Sequence, residues 1–181
     1  MENPVHPMFV HFPVALILAA LLLDTAGMAL KNEKLRDAAY RVLCLATLGA
    51  AAAVATGFYA HGQIKYMPDK LHDLIELHET LGLAVLATAF TATALRIYAE
   101  KKGEVAAFVK QLSFAFLLVA GLLVAATGNL GGKIVYDYGT GTKLYDDKYK
   151  NAPLNNKNPD NKNQATDSTD QNNQQPPPDW H

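Results

Sequence analysis

The sequence contains very little cysteine and no excess of positive charge. Its single cysteine, Cys44, lies inside an apolar run, so no disulfide can form within the chain and the residue does not indicate a compartment. Lysine and arginine together number 16, against 17 aspartates and glutamates, and they form no basic stripe of the kind that nucleic acid requires. Nucleic-acid binding is therefore excluded. We also find no Ser-His-Asp or Cys-His arrangement, so we expect an electron carrier or a binding protein rather than a stand-alone enzyme.

Large aliphatic side chains are nearly absent after Leu154. Residues 143–181 are instead crowded with Asn, Gln, Asp, Lys and Pro. Such a segment buries too little apolar surface to offset the entropy lost on ordering, which predicts disorder. We therefore divide the chain into a membrane domain, residues 1–142, and a disordered tail, residues 143–181.

Four long apolar runs dominate the membrane domain. A bilayer core needs about 20 apolar residues per helix, and residues 9–30, 40–59, 77–98 and 105–130 meet that requirement. The first run has no basic residue before it and is too long for a signal peptide, so we interpret it as a retained span. Because short connections make sequential helices neighbours, the sequence predicts an all-α protein, an antiparallel four-helix transmembrane bundle.

Lysine and arginine are common in the first and third connections and sparse in the second. The basic residues of the first and third connections are Lys31, Lys34, Arg36, Arg41, Arg96, Lys101, Lys102 and Lys110. By the positive-inside rule these two connections are cytoplasmic. We therefore expect a multi-pass protein of the bacterial cytoplasmic (inner) membrane, with both termini and the tail outside. Asp24, near the cytoplasmic end of the first span, is expected to be neutralised by Arg41 or Arg96.

Five histidines lie where the spans begin or end, all on the predicted outer side: His6, His11, His61, His72 and His78. Imidazole binds haem iron and transition metals, and ionisable groups at membrane depth are rare unless they serve a function. This gathering favours a cofactor site.

His11 and His78 are the best candidates for the two axial ligands of a haem b. Pro13 is tolerated in a first helical turn, which predicts that His11 stands at the mouth of helix one. His78 shares an apolar helix face with Leu71 and Ile75, whereas His72 and Glu76 lie on a polar stripe. Two imidazoles on facing helices with an apolar slot between them are what a haem b requires.

Other interpretations stay open. His61, His72 and Glu76 form a possible second site for a transition metal, because mixed imidazole and carboxylate sets suit such ions. Alternatively, each histidine is an interfacial residue hydrogen-bonded to the backbone or water. The protein is then a bundle without a cofactor that binds a protein partner.

The opening motif resembles a known family. His6-Pro7-Met8-Phe9-Val10-His11-Phe12-Pro13, together with His78 and the Gly128–Gly141 segment, is similar to the bacterial membrane family called domain of unknown function 2231. The resemblance covers roughly residues 4–142 and implies a four-span bundle. Many members carry His where this chain has Asn129, and Asn cannot replace imidazole on a haem iron.

The resemblance also bears on function. Relatives fused to cytochrome c-like domains imply electron transfer. We therefore expect a lipid-embedded electron carrier that exchanges electrons with a quinone and an extracytoplasmic redox protein.

Overall fold

The computed structural model describes residues 5–62, 69–101, 106–140 and 142. These residues form four helices and no strand: α1 (Val5–Ala29), α2 (Glu33–Gly62), α3 (Asp69–Lys101) and α4 (Ala106–Tyr138). Each helix is long and apolar enough to cross a membrane, which confirms the predicted all-α fold and its four spans. The predicted disorder of residues 143–181 concerns a segment outside the described residues.

The helices are longer than the apolar runs because polar residues at their ends continue or cap them. The Asn32 side chain accepts hydrogen bonds from the backbone N–H groups of Lys34 (3.0 Å) and Leu35 (3.4 Å), so it caps the start of α2. Helix α4 ends at Tyr138, and the next residue, Gly139, has a φ of 71°, which is favourable for glycine, and an N–H that donates to the Val135 carbonyl. The last helix therefore extends eight residues beyond the predicted span.

Helix α1 begins well before Pro13, and the prediction that Pro13 stands in a first turn is wrong. Pro13 lies inside a helix that includes Val5, and it cannot donate to the carbonyl of Phe9. Spanning helices tolerate such a residue where neighbouring helices restore favourable contacts. Here Phe12 and Pro13 pack against Gly49 of α2, where an added Cβ would lie 2.8 Å from Phe12 Cδ1.

The four helices run antiparallel to their sequence neighbours. His6 of α1 meets Thr56 near the end of α2, and Asp24 of α1 meets Arg36 near its start. We call the end where α1 and α3 begin the histidine end, and the opposite end the arginine end. Between them lies a core rich in alanine, which allows the helices to approach closely without a hydrophobic driving force from water.

The chain consists of two equivalent helical hairpins, α1–α2 and α3–α4. Buried positions of α1 recur 72 residues later in α3, and those of α2 recur 74 residues later in α4. The matched pairs include Pro13 and Val85, Ile17 and Ala89, Ala20 and Ala92, Asp24 and Arg96, Leu43 and Leu117, Ala46 and Ala120, and Ala50 and Val124. Contacts within each hairpin are more extensive than contacts between them. The arrangement has the symmetry of a two-fold axis along the bundle that exchanges the hairpins.

Candidate functional site

The histidine end brings together side chains from three helices that are far apart in sequence. His6 of α1, His61 of α2, and His72 and His78 of α3 all lie there, as the antiparallel topology predicts. His11 lies farther along α1 and is exposed, with Nδ1 hydrogen-bonded to the carbonyl of Pro7 in the same helix.

The rings of His6 and His78 face each other across the centre of the bundle. Their centroids are 6.4 Å apart and their planes are nearly perpendicular, at 89°. The two residues are 72 positions apart, the separation that relates α1 to α3, so they occupy equivalent positions in the two hairpins. The pair therefore straddles the approximate two-fold axis.

Each ring of the pair packs against a glycine of its own hairpin. A Cβ added at Gly57 of α2 would lie 3.1 Å from His6 Cε1, and one added at Gly131 of α4 would lie 3.2 Å from His78 Cε1. These glycines are 74 residues apart, the separation that relates α2 to α4. A larger residue at either position would push the ring away, so glycine is needed there for close approach.

The Thr56 side chain of α2 lies against the His6 ring. Thr56 Oγ1 is 3.3 Å from His6 Nδ1, and 2.9 and 3.0 Å from the carbonyl oxygens of Ala52 and Ala53. The direction of the bond to His6 depends on the tautomer of the imidazole. A metal ion would bind Nε2 in the tautomer in which Nδ1 carries the proton and donates to Thr56.

The surroundings of His78 are similar. Its Nδ1 is buried and makes no ordinary hydrogen bond with the described residues. The main chain of Thr127 lies near this ring, and the main chain of Ala53, the equivalent position in the first hairpin, lies near His6. Gly82, one turn along α3 from His78, faces open space, since a Cβ there would meet no atom within 4 Å.

The predicted metal residues form two pairs rather than one compact set. His61 Nδ1 lies 2.7 Å from Glu79 Oε1, and His72 Nε2 lies 3.3 Å from Glu76 Oε1. The rings of His61 and His72 are 6.3 Å apart between centroids. Within the described ranges, no three His, Cys, Asp or Glu side chains come close enough to hold one metal ion. His72 and Glu76 face solvent, as their stripe predicts.

Sequence reasoning selected His11 where the structure has His6 opposite His78. The two residues are five apart in α1, which turns their side chains about 140° from each other around the helix. The signal that would have identified His6 was the internal repeat, because the offset of 72 that relates the buried faces also relates His6 to His78. Asn129, where the resemblance implies His, is exposed on α4.

Comparison with known proteins gives a family but no characterised relative. No curated protein and no solved structure matches the chain. The family described as predicted membrane protein (DUF2231) matches residues 2–144, which include all four helices. With most of its length matched in this way, the chain belongs to that family of predicted membrane proteins.

Proposed function

We propose that the histidine end binds one haem b, with His6 and His78 as its axial ligands, and that the protein transfers electrons in the membrane. The observation that carries this proposal is the His6–His78 pair. Two imidazoles bound through nitrogen at about 2.0–2.1 Å on opposite sides of one metal ion have ring centres about 6 Å apart. The 6.4 Å between the two rings agrees with that spacing.

The surroundings of the pair fit a haem in three further ways. Gly57 and Gly131 let each ring lie against its own hairpin, and a haem held by both rings would lie between the hairpins, where helix contacts are fewer. Open space beside Gly82 leaves room for an edge of a flat macrocycle. The Thr56 hydroxyl lies within hydrogen-bond distance of His6 Nδ1 and orients the ring, as partners of metal-bound histidines do.

A haem b held at this site would supply one-electron redox chemistry. The chain itself holds the two imidazoles in a fixed geometry and excludes water with Leu71, Ile75 and Ile134, which pack at the same end. Because the site lies at one end of the bundle, a partner at the membrane surface can approach it. The charge asymmetry of the connections favours the outer side of a bacterial inner membrane for this end. The partners that we propose there are a quinone and an extracytoplasmic redox protein.

A transition-metal site at His61 and His72 is the second candidate. Their rings are separated by a similar 6.3 Å, and Glu76 and Glu79 supply carboxylates beside them. Both rings are partly exposed, so an ion from solution can reach them. This site needs side-chain movement to gather three ligands, which makes it the weaker candidate.

The test is the absorption spectrum of the full-length protein, expressed with adequate haem supply and purified in detergent. We expect the wild type to show a low-spin reduced spectrum with one haem per chain. His6→Ala and His78→Ala should each lose it. His11→Ala is the matched control, because this histidine lies on the same helix but faces outward, and it should keep the wild-type spectrum.

The outcomes separate the alternatives. A colourless wild type overturns the haem proposal, and elemental analysis of the same sample then tests the metal site. A spectrum that depends on His11 but not on His6 would instead favour His11 and His78, the pair expected from the sequence. His6→Gly supplemented with free imidazole should regain the spectrum, which distinguishes a lost ligand from a misfolded protein.

A further inference from the structure

The arginine end contains a cluster of buried charges that the histidine site does not use. Asp24 and Arg36 form an ion pair, with Oδ1 and Nε 3.0 Å apart and side chains only 8% and 14% exposed. Arg96 lies beside them at 3% exposure. Burying charges in this way is unfavourable unless each is paired and hydrogen-bonded.

Arg96 lacks a close partner. All three of its side-chain nitrogens are buried and without a hydrogen bond to any described residue. Its nearest carboxylates, Asp37 and Glu100, lie 3.8 and 3.6 Å away, beyond hydrogen-bond distance, and their side chains are 54% and 44% exposed. Water and salt screen such exposed carboxylates, so they compensate the buried guanidinium only weakly.

The internal repeat shows what the second hairpin lacks. Arg96 occupies the position of α3 that is equivalent to Asp24 of α1, and Lys110 of α4 is equivalent to Arg36 of α2. The first hairpin therefore pairs an acid with a base, whereas the second places two bases at the same positions. The Nζ of Lys110 lies 3.4 Å from a carboxylate oxygen of Glu33 and 3.8 Å from one of Glu100. The negative charge missing from the second hairpin is the one that Arg96 would need.

A small cavity lies beside the unpartnered nitrogens. Its lining includes Asp24, Arg36, Arg96 and the Ser113 side chain, and its volume is about 10 Å³, room for one water-sized group. The Ser113 hydroxyl donates to the Ala92 carbonyl at 2.7 Å, so its lone pairs, not its proton, face further partners. Nη2 of Arg36 is also buried without a hydrogen bond to the described residues. Within the lining, two guanidinium groups and one carboxylate sum to +1; the carboxylates of Glu33, Asp37 and Glu100 lie outside it, 3.6–3.8 Å from these guanidinium groups, and are 44–65% exposed to solvent.

We propose that this cavity binds a single monatomic anion, chloride, between Arg36 and Arg96. One monovalent anion neutralises the lining and accepts hydrogen bonds from the nitrogens that lack partners. A water molecule would fill the space but would bring no negative charge to the buried guanidinium of Arg96, which the exposed carboxylates compensate only weakly. A phosphate group has five heavy atoms and does not fit. Bound chloride would link α2 to α3, and so one hairpin to the other, at the end opposite the histidines.

The experiment measures the thermal unfolding of the full-length protein in detergent at constant ionic strength, with sodium chloride replacing sodium gluconate. Gluconate is too large for the cavity. We expect chloride to raise Tm in a saturable way, by about 3–5 °C at ten times its Kd. Bromide should act similarly, and phosphate should not. The measurement does not depend on haem, so its result is independent of the proposed function.

Two variants locate the effect. Arg96→Leu should abolish the chloride-dependent shift, whereas Arg41→Leu, which removes an exposed arginine from α2, should retain it. If Arg96→Leu does not fold, titration calorimetry of wild type and Arg96→Lys with chloride replaces it, and the lysine variant should bind at least tenfold more weakly. Equal Tm in chloride and gluconate for the wild type overturns the proposal. So does a shift produced by phosphate alone, or one unchanged in Arg96→Leu.

Discussion

His6 and His78 occupy equivalent positions in two helical hairpins, and their rings meet edge to face with centroids 6.4 Å apart. Neither ring is held by its own helix alone. Each lies against a glycine of the other helix in its hairpin, and one is oriented by a threonine. The pair is therefore a product of tertiary packing, and its geometry leads to the following predictions.

Gly131→Ala should displace the His78 ring. The new Cβ would lie 3.2 Å from His78 Cε1, so the ring or the helix must shift by a few tenths of an ångström. We expect haem occupancy to fall severalfold, while the free energy of unfolding falls by about 1–3 kcal/mol through overpacking. Gly132→Ala is the matched control, because a Cβ at Gly132 meets no atom within 4 Å. The control should be neutral or stabilising by about 1 kcal/mol. Equal haem content in the two variants would contradict the prediction.

Thr56→Val should weaken haem binding without unfolding the bundle. Valine has the same shape but removes the oxygen that is hydrogen-bonded to His6 Nδ1. Loss of such a supporting hydrogen bond typically lowers metal affinity about 10- to 100-fold. Haem titration of the apoprotein measures the effect. Thr88→Val, which removes a hydroxyl that is hydrogen-bonded within its own helix to the carbonyls of Ala84 and Val85, should bind haem normally. An affinity equal in both variants would show that Thr56 does not orient the ligand.

Asp24→Asn should destabilise the arginine end strongly. It removes the charge paired with Arg36 and leaves a buried guanidinium uncompensated, which typically lowers the free energy of unfolding by about 3–5 kcal/mol. Asp37→Asn is the comparison, since Asp37 is half-exposed and its loss should change stability by less than about 1 kcal/mol. Chemical unfolding in mixed micelles gives both values. The double variant Asp24→Leu with Arg36→Leu should recover much of the loss, and no recovery would mean that the pair is not the cause.

Reporter fusions should place both termini outside. The prediction rests on the concentration of lysine and arginine in the first and third connections. A periplasm-active reporter fused after residue 142 should give signal, and one fused near Asn32 should not. The reverse pattern would put the histidine end in the cytoplasm and exclude an extracytoplasmic redox partner.

The partner of Asp24 illustrates where sequence reasoning reached its limit. Charge and position along the helix predicted an ion pair with Arg41 or Arg96, but the partner is Arg36. The sequence shows which basic residues lie at the same end. It does not show which of them faces the neighbouring helix, because that depends on how α1 and α2 are rotated against each other.

The sequence by itself determined the number of helices, their antiparallel order and the end at which the histidines gather. Backbone groups in lipid must be satisfied within each segment, so an apolar run of about 20 residues becomes a helix whatever its neighbours are. Because successive spans cross the membrane in opposite directions, the position of a residue within its span then assigns it to one end of the bundle. Only the tertiary structure decided that His6 lies opposite His78. The residue that faces His78 depends on how α1 is rotated about its own axis. The sequence pattern did not predict where α1 begins, because the helix continues through Pro13.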